Sequence, residues 1–147
     1  MYEDIIQLIK NARVTFPPLG NGVSQAAIDN AEATLGFALP HSYKWWLLNY
    51  GGGQIQGEIV YGLDEGGMGR PDVVELAQRN ERDGLYGQER LVFCMGNAEN
   101  FVFDTQNADD DGEYEVLLHD IAGGEEIPYA TSFTEFLQRR IKEVYRL

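Results

Sequence analysis

The chain has 147 residues, 44% hydrophobic, 12% aromatic and 24% charged, with 11 Lys and Arg against 24 Asp and Glu and a net charge of −13. That length and balance suit one domain over residues 1–147 with an unaided core, and they exclude a disordered, collagenous or coiled-coil chain. No apolar run reaches the roughly 20 residues of a membrane helix, and Cys94 stands alone, which excludes an internal disulfide framework or a thiolate metal cluster.

In chain order, Tyr2, Ile5, Ile6 and Ile9 recur at helical spacing and predict a short amphipathic helix near 2–10. This opening, MYEDIIQLIK, carries acids where a signal peptide carries bases, so the chain is expected in the cytoplasm. Pro17, Pro18, Gly20 and Gly22 predict a loop. Ser24 is a ready N-cap for a helix to Leu35, with Ile28, Ala31 and Leu35 on one face and Gly36 as its stop. Pro40 suits a first helical position, and Tyr43, Trp46, Leu47 and Tyr50 form the stripe of a helix over 40–50. Gly51, Gly52 and Gly53 then end it.

Strand signals follow. GEIVYGL (57–63) is β-branched and aromatic, and a glycine-rich loop through Gly69 precedes a helix over 71–82. RLVFCM (90–95), NFVFDT (100–105) and EYEVLLHD (113–120) read as successive strands, with a weaker one around 127–130. Ser132 and Glu135 make a capping box for a last helix over 132–146, with Phe133, Phe136, Leu137, Ile141 and Val144 inward. Helices at both ends and strands grouped between them predict an α+β fold, an antiparallel sheet of about four to six strands.

Charge is unevenly spread. Ten acids and no Lys or Arg lie between Glu99 and Glu126, whereas Arg139, Arg140, Lys142 and Arg146 outnumber Glu135 and Glu143 after Ser132. Such a field repels nucleic acid and anionic membrane and speeds capture of a cationic partner; strong net charge also serves solubility alone.

The sharpest metal candidate is Asn107, Asp109, Asp111 and Gly112, spaced like the first half of a calcium loop. Its twelfth position falls on Leu118, where a bidentate carboxylate is needed, so a polar hairpin turn closed by Asp111-Gly112 is preferred and no metal is expected. His41 and His119 are the only histidines, without an HExxH motif or a cysteine pair for zinc. Cys94 sits in an apolar run as a buried thiol, no GxSxG marks a serine, and Gly66, Gly67 and Gly69 lack the Lys-Ser/Thr pair of a phosphate loop. No catalytic residue and no cofactor follow. Of Trp45 and Trp46, about 100° apart on a helix, one is core and the other either an edge anchor for a partner or core as well.

The stretch Ile28-x-x-x-Glu32-x-x-Leu35-Gly36-x-x-Leu39-Pro40-x-x-Tyr43-Lys44-x-Trp46-Leu47, ending Tyr50-Gly51-Gly52, resembles the SUKH superfamily. Tyr61-Gly62-Leu63, Asn100-Phe101-Val102-Phe103-Asp104 and Ser132-Phe133-x-x-Phe136-Leu137 extend the likeness to about 24–137. The resemblance implies a non-catalytic α+β domain. Its members are fungal cell-wall-synthesis regulators and bacterial immunity proteins that neutralise a toxin, often a nuclease or deaminase. Three classes follow: an immunity protein bound to a basic protein toxin, a regulatory binding module of the same fold, or a domain with an unrecognised ligand or metal site. For the first, the expected contacts are the acids Glu58, Asp64, Glu65, Asp104, Asp109, Asp110 and Asp111 facing the partner together, with Trp45 or Tyr61 as anchors.

Overall fold

The computed structural model describes residues 2–11 and 22–146. Pro17, Pro18 and Gly20 of the expected loop lie outside them. Five helices, α1 (Glu3–Asn11), α2 (Gln25–Leu35), α3 (His41–Asn49), α4 (Val73–Arg82) and α5 (Phe133–Tyr145), accompany six strands. The strands are β1 (Gly53–Ile55), β2 (Glu58–Val60), β3 (Arg90–Met95), β4 (Glu99–Ala108), β5 (Tyr114–Asp120) and β6 (Glu126–Ala130). They form one antiparallel meander in the order β1-β2-β3-β4-β5-β6, the α+β architecture expected.

Helix ends follow local chemistry. Ser24 accepts from the Ala27 N–H at 3.1 Å, and Gly36 closes α2 in the left-handed region at φ 86°. Ser132 accepts from the Glu135 N–H, but Glu135 reaches back to the N–H and hydroxyl of Thr131, one residue before the cap. Pro40 is the N-cap of α3 rather than its first helical residue. It has no side-chain oxygen to offer, so the first N–H groups of α3 need acceptors from elsewhere.

Alternation along the strands divides the sheet into two faces. One buries Leu91, Phe93, Phe101, Phe103 and Val116 beneath Tyr43 and Trp46 of α3 and Phe133, Phe136 and Leu137 of α5. Phe93 stacks on Phe103 at 4.1 Å, and Tyr43 meets both Phe103 and Phe133 edge-on. The other face carries a small cluster of Val92, Val102 and Leu117, covered by Leu76 of α4 and by Tyr86. A bulge between Val92 and Cys94 sets Phe93 and Cys94 together on the main-core side, opposite Phe101.

Two expectations need correction. The glycine run is not only a stop: Gly53 begins β1, which pairs with β2 across a tight turn with Gln56 at φ 46° and Gly57 at φ 90°. The strand expected over 57–63 ends at Val60, because Gly62 crosses against Gly51. A Cβ on Gly62 would lie 1.7 Å from the Gly51 carbonyl oxygen.

Candidate functional site

Two of the orphan N–H groups of α3 are satisfied by the β4–β5 hairpin. The His41 N–H donates to the Gly112 carbonyl at 3.0 Å, and the N–H and hydroxyl of Ser42 donate to the two Glu113 carboxylate oxygens, both at 2.7 Å. Glu113 is 8% exposed and has no ion-pair partner among the described residues; the positive end of the α3 dipole faces its charge instead. The hairpin itself is folded by Asp109, whose Oδ1 accepts from the N–H groups of Asp111 and Glu113, while Gly112 turns at φ 77°. This is the polar hairpin turn expected at Asp111-Gly112. Among the described residues no group of three or more His, Cys, Asp or Glu side chains is placed to hold a metal ion.

Docking the hairpin on α3 opens a cleft of about 500 Å³ between α1, α3, the hairpin and the start of α5. Asp4, Asp109, Asp111 and Glu113 line it together with Tyr2, His41, Ser42, Thr134 and Gln138, and no Lys or Arg does. Burial, and then the Glu113 charge, push the Tyr2 phenol above its ordinary value. Tyr2 in turn stacks on Trp45, one turn beyond His41, with ring centroids 4.0 Å apart. Trp46 is fully buried and Trp45 half-buried at this rim, flanked also by Tyr50 at 6.0 Å. Through Tyr2 the structure sets Trp45 beside the cleft that Asp109 and Asp111 line, with the exposed Asp110 next to them in the turn.

The other expected contacts lie elsewhere. Glu58 is held by Arg140 of α5 through two hydrogen bonds of 3.1 and 2.6 Å, and Arg140 also reaches Glu99 and lies over the Phe101 ring. Asp104 is paired with Arg90 at 3.0 Å and accepts from Gln106 and Asn107. Tyr61 is half-buried, and its carbonyl accepts from the buried Tyr43 hydroxyl at 2.6 Å. Asp64 and Glu65 border a separate groove of about 440 Å³ between α2 and α4. There Asp64 accepts from the N–H groups of Met68 and Gly69, and Glu65 from the N–H and hydroxyl of Ser24.

The acids of 99–126 do not form one face. Glu99 and Asp120 mark one end of the β4–β5 pair and Asp109 to Asp111 the other, about 33 Å apart for a ten-residue strand. Sequence reasoning missed Ser42, Asp4 and Tyr2 as site residues, and it counted Glu113 only among the run of acids over 99–126 expected to face a partner. The available signal was Pro40, a helix start without a side-chain cap, which demands an outside acceptor. Residues 22–139 match the family model described as SMI1 / KNR4 family (SUKH-1).

Proposed function

The chain belongs to the SMI1 / KNR4 family (SUKH-1), and on that premise we propose that it is a non-enzymatic cytoplasmic immunity protein that binds and neutralises a basic bacterial toxin of nuclease or deaminase type. Family membership supports a protein-binding role, whether of the toxin-immunity or the SMI1/KNR4 kind. Among the described residues no helix is long and apolar enough to cross a membrane. The observation that carries the toxin reading is the cleft at α3: four carboxylates, no Lys or Arg, and an aromatic rim of Tyr2 and Trp45. Acids that are already paired, such as Glu58 and Asp104, add little to this field. Asp4, Asp109, Asp110 and Asp111 supply the long-range attraction, and Trp45 supplies a desolvated contact once the partner has arrived.

The test begins with co-expression of the neighbouring gene product and affinity capture, followed by association kinetics. Reversing Asp4, Asp110 and Asp111 to Lys slows association about tenfold at low salt. The difference shrinks once the screening length falls well below about 8 Å. A flat salt dependence in both proteins refutes charge-steered binding through this cleft.

A further inference from the structure

A cavity that shares no lining residue with the α3 cleft lies between the end of α2, α4 and β3. Leu35, Phe37, Asn80, Tyr86, Leu91 and Val92 line it, and its volume is about 60 Å³. Asn80 is out of keeping with its place. It stands inside α4, where Asn is a poor helix former, on the buried face with Val73 and Leu76. It is 8% exposed, and its side-chain amide has no hydrogen-bond partner among the described residues. The bond that it accepts from the Leu85 N–H at 2.9 Å uses its backbone carbonyl. A buried amide left unpaired is costly and uncommon in folded proteins. This one is not sealed inside the protein, because it opens on the cavity.

We propose that this cavity receives a primary carboxamide, the head group of a glutamine or asparagine side chain on a protein partner, which pairs with Asn80 through two antiparallel hydrogen bonds. Asn80 offers N–H donors and an oxygen acceptor side by side. A primary carboxamide presents the complementary pair in one plane, whichever way round the Asn80 amide lies. A carboxylate only accepts, and an ammonium or guanidinium only donates, so each leaves half of Asn80 unpaired. Glu81 also lines the cavity and repels a carboxylate, while Arg90 is already held by Glu126 and Asp104 at 2.9 and 3.0 Å. A trans peptide group carries its N–H and C=O on opposite sides and cannot make both bonds. The buried walls, Leu35, Leu91 and Val92, are apolar, so a water there finds few of the about two to four polar partners that an enclosed water needs. The volume holds about two waters at roughly 30 Å³ each. That is room for one head group and not a whole ligand, so the rest of the partner lies outside, across the half-buried Phe37 and Tyr86.

This site rests on the protein-binding reading above, and its test is separable from it. The intact chain is titrated with N-acetyl-glutamine methylamide while NMR follows the Asn80 side-chain amide and the Phe37 ring. Both signals are expected to shift saturably in the millimolar range. The methylamides of N-acetyl-glutamate and N-acetyl-methionine bind at least about tenfold more weakly, because neither can pair with both sides of Asn80. Propionamide, the same head group without a chain, also binds more weakly than the glutamine compound. Asn80→Ala, which fits without a clash, abolishes the shift at Phe37. It leaves the melting temperature unchanged or higher, since it removes an unpaired amide and favours the helix. A clearly lower melting temperature means that the amide serves the fold, and it overturns the site. Unmoved signals up to roughly 50 mM, or equal binding of the glutamate, methionine or propionamide compounds, do the same. A partner captured by the chain alongside any of those results leaves the protein-binding reading standing.

Discussion

Replacing Glu113 tests whether the acidic cleft is built on the α3 N-terminus. Glu113→Ala removes the acceptor for two donors of Ser42, each at 2.7 Å, and Ser42 is only 3% exposed, so water cannot take the carboxylate's place without opening the hairpin. Hydrogen bonds to a charged group contribute about 1.5–3 kcal/mol each. The two share one carboxylate and one serine, so a loss of about 3 kcal/mol is expected rather than their full sum. At about 3 °C per kcal/mol for a chain of this size, the melting temperature falls by roughly 10 °C. Ser42→Ala, which keeps the backbone bond, costs about 1 kcal/mol, and the double variant costs less than the two singly combined. Urea unfolding at pH 7 gives the energies, and amide exchange at His41 and Ser42 reports the local effect. A Glu113→Ala protein within about 0.5 kcal/mol of wild type, with those amides still protected, refutes the reasoning.

Three further outcomes follow from other parts of the fold. The hydroxyl and N–H of Ser24 hold the Glu65 carboxylate below its ordinary value against the opposing effect of burial. Its contribution is therefore complete above about pH 4.3 and is lost as pH falls through the lowered folded-state value. The stability gap between wild type and Glu65→Gln should hold steady from pH 6 down to about pH 4.3 and narrow as the pH falls further, and an unchanged gap at lower pH contradicts this. Burial, followed by the Glu58 charge, pushes the Cys94 thiol far above its ordinary value, so a thiol reagent at pH 8 should label it only as fast as the protein unfolds. Gly62→Ala drives a methyl to 1.7 Å from the Gly51 carbonyl oxygen, where only backbone could yield. It should cost about 3 kcal/mol or more in denaturant unfolding, and a neutral result denies the close crossing.

The parts of the fold legible in the sequence are those whose signals are local. Ser24, Gly36 and Ser132 announce helix ends within four residues of the groups they satisfy, and the apolar stripes of α3 and α5 repeat at the helical period. β1 was hidden because its pairing comes from the Gln56-Gly57 turn, while its own three residues, Gly-Gln-Ile, carry little strand preference. Phe93 and Cys94 share the main-core side only because of a bulge, which a strict period of two does not foresee. The site was less legible than the fold. Trp45 and the Asp109–Asp111 turn were both visible, but their meeting depends on Glu113 and Ser42, 71 positions apart in sequence.

The distribution of charge shows why net charge alone misleads about where a partner docks. Glu58 and Asp104 are spent inside the structure, one tying α5 to β2 through Arg140 and the other bridging β4 to β3 through Arg90. Such partly enclosed pairs act on packing and cast little field outward. Glu113 differs from them, because its charge is met by a helix end rather than by a cation. A helix N-terminus supplies only about half a unit of opposing charge, so part of the Glu113 field survives into the cleft, where it reaches Tyr2. Asp4, Asp109 and Asp111 line the same space. Anchoring the hairpin with a carboxylate instead of a salt bridge thus leaves the corner beside Trp45 negative, and the interaction that holds this corner together also prepares it for a cationic partner.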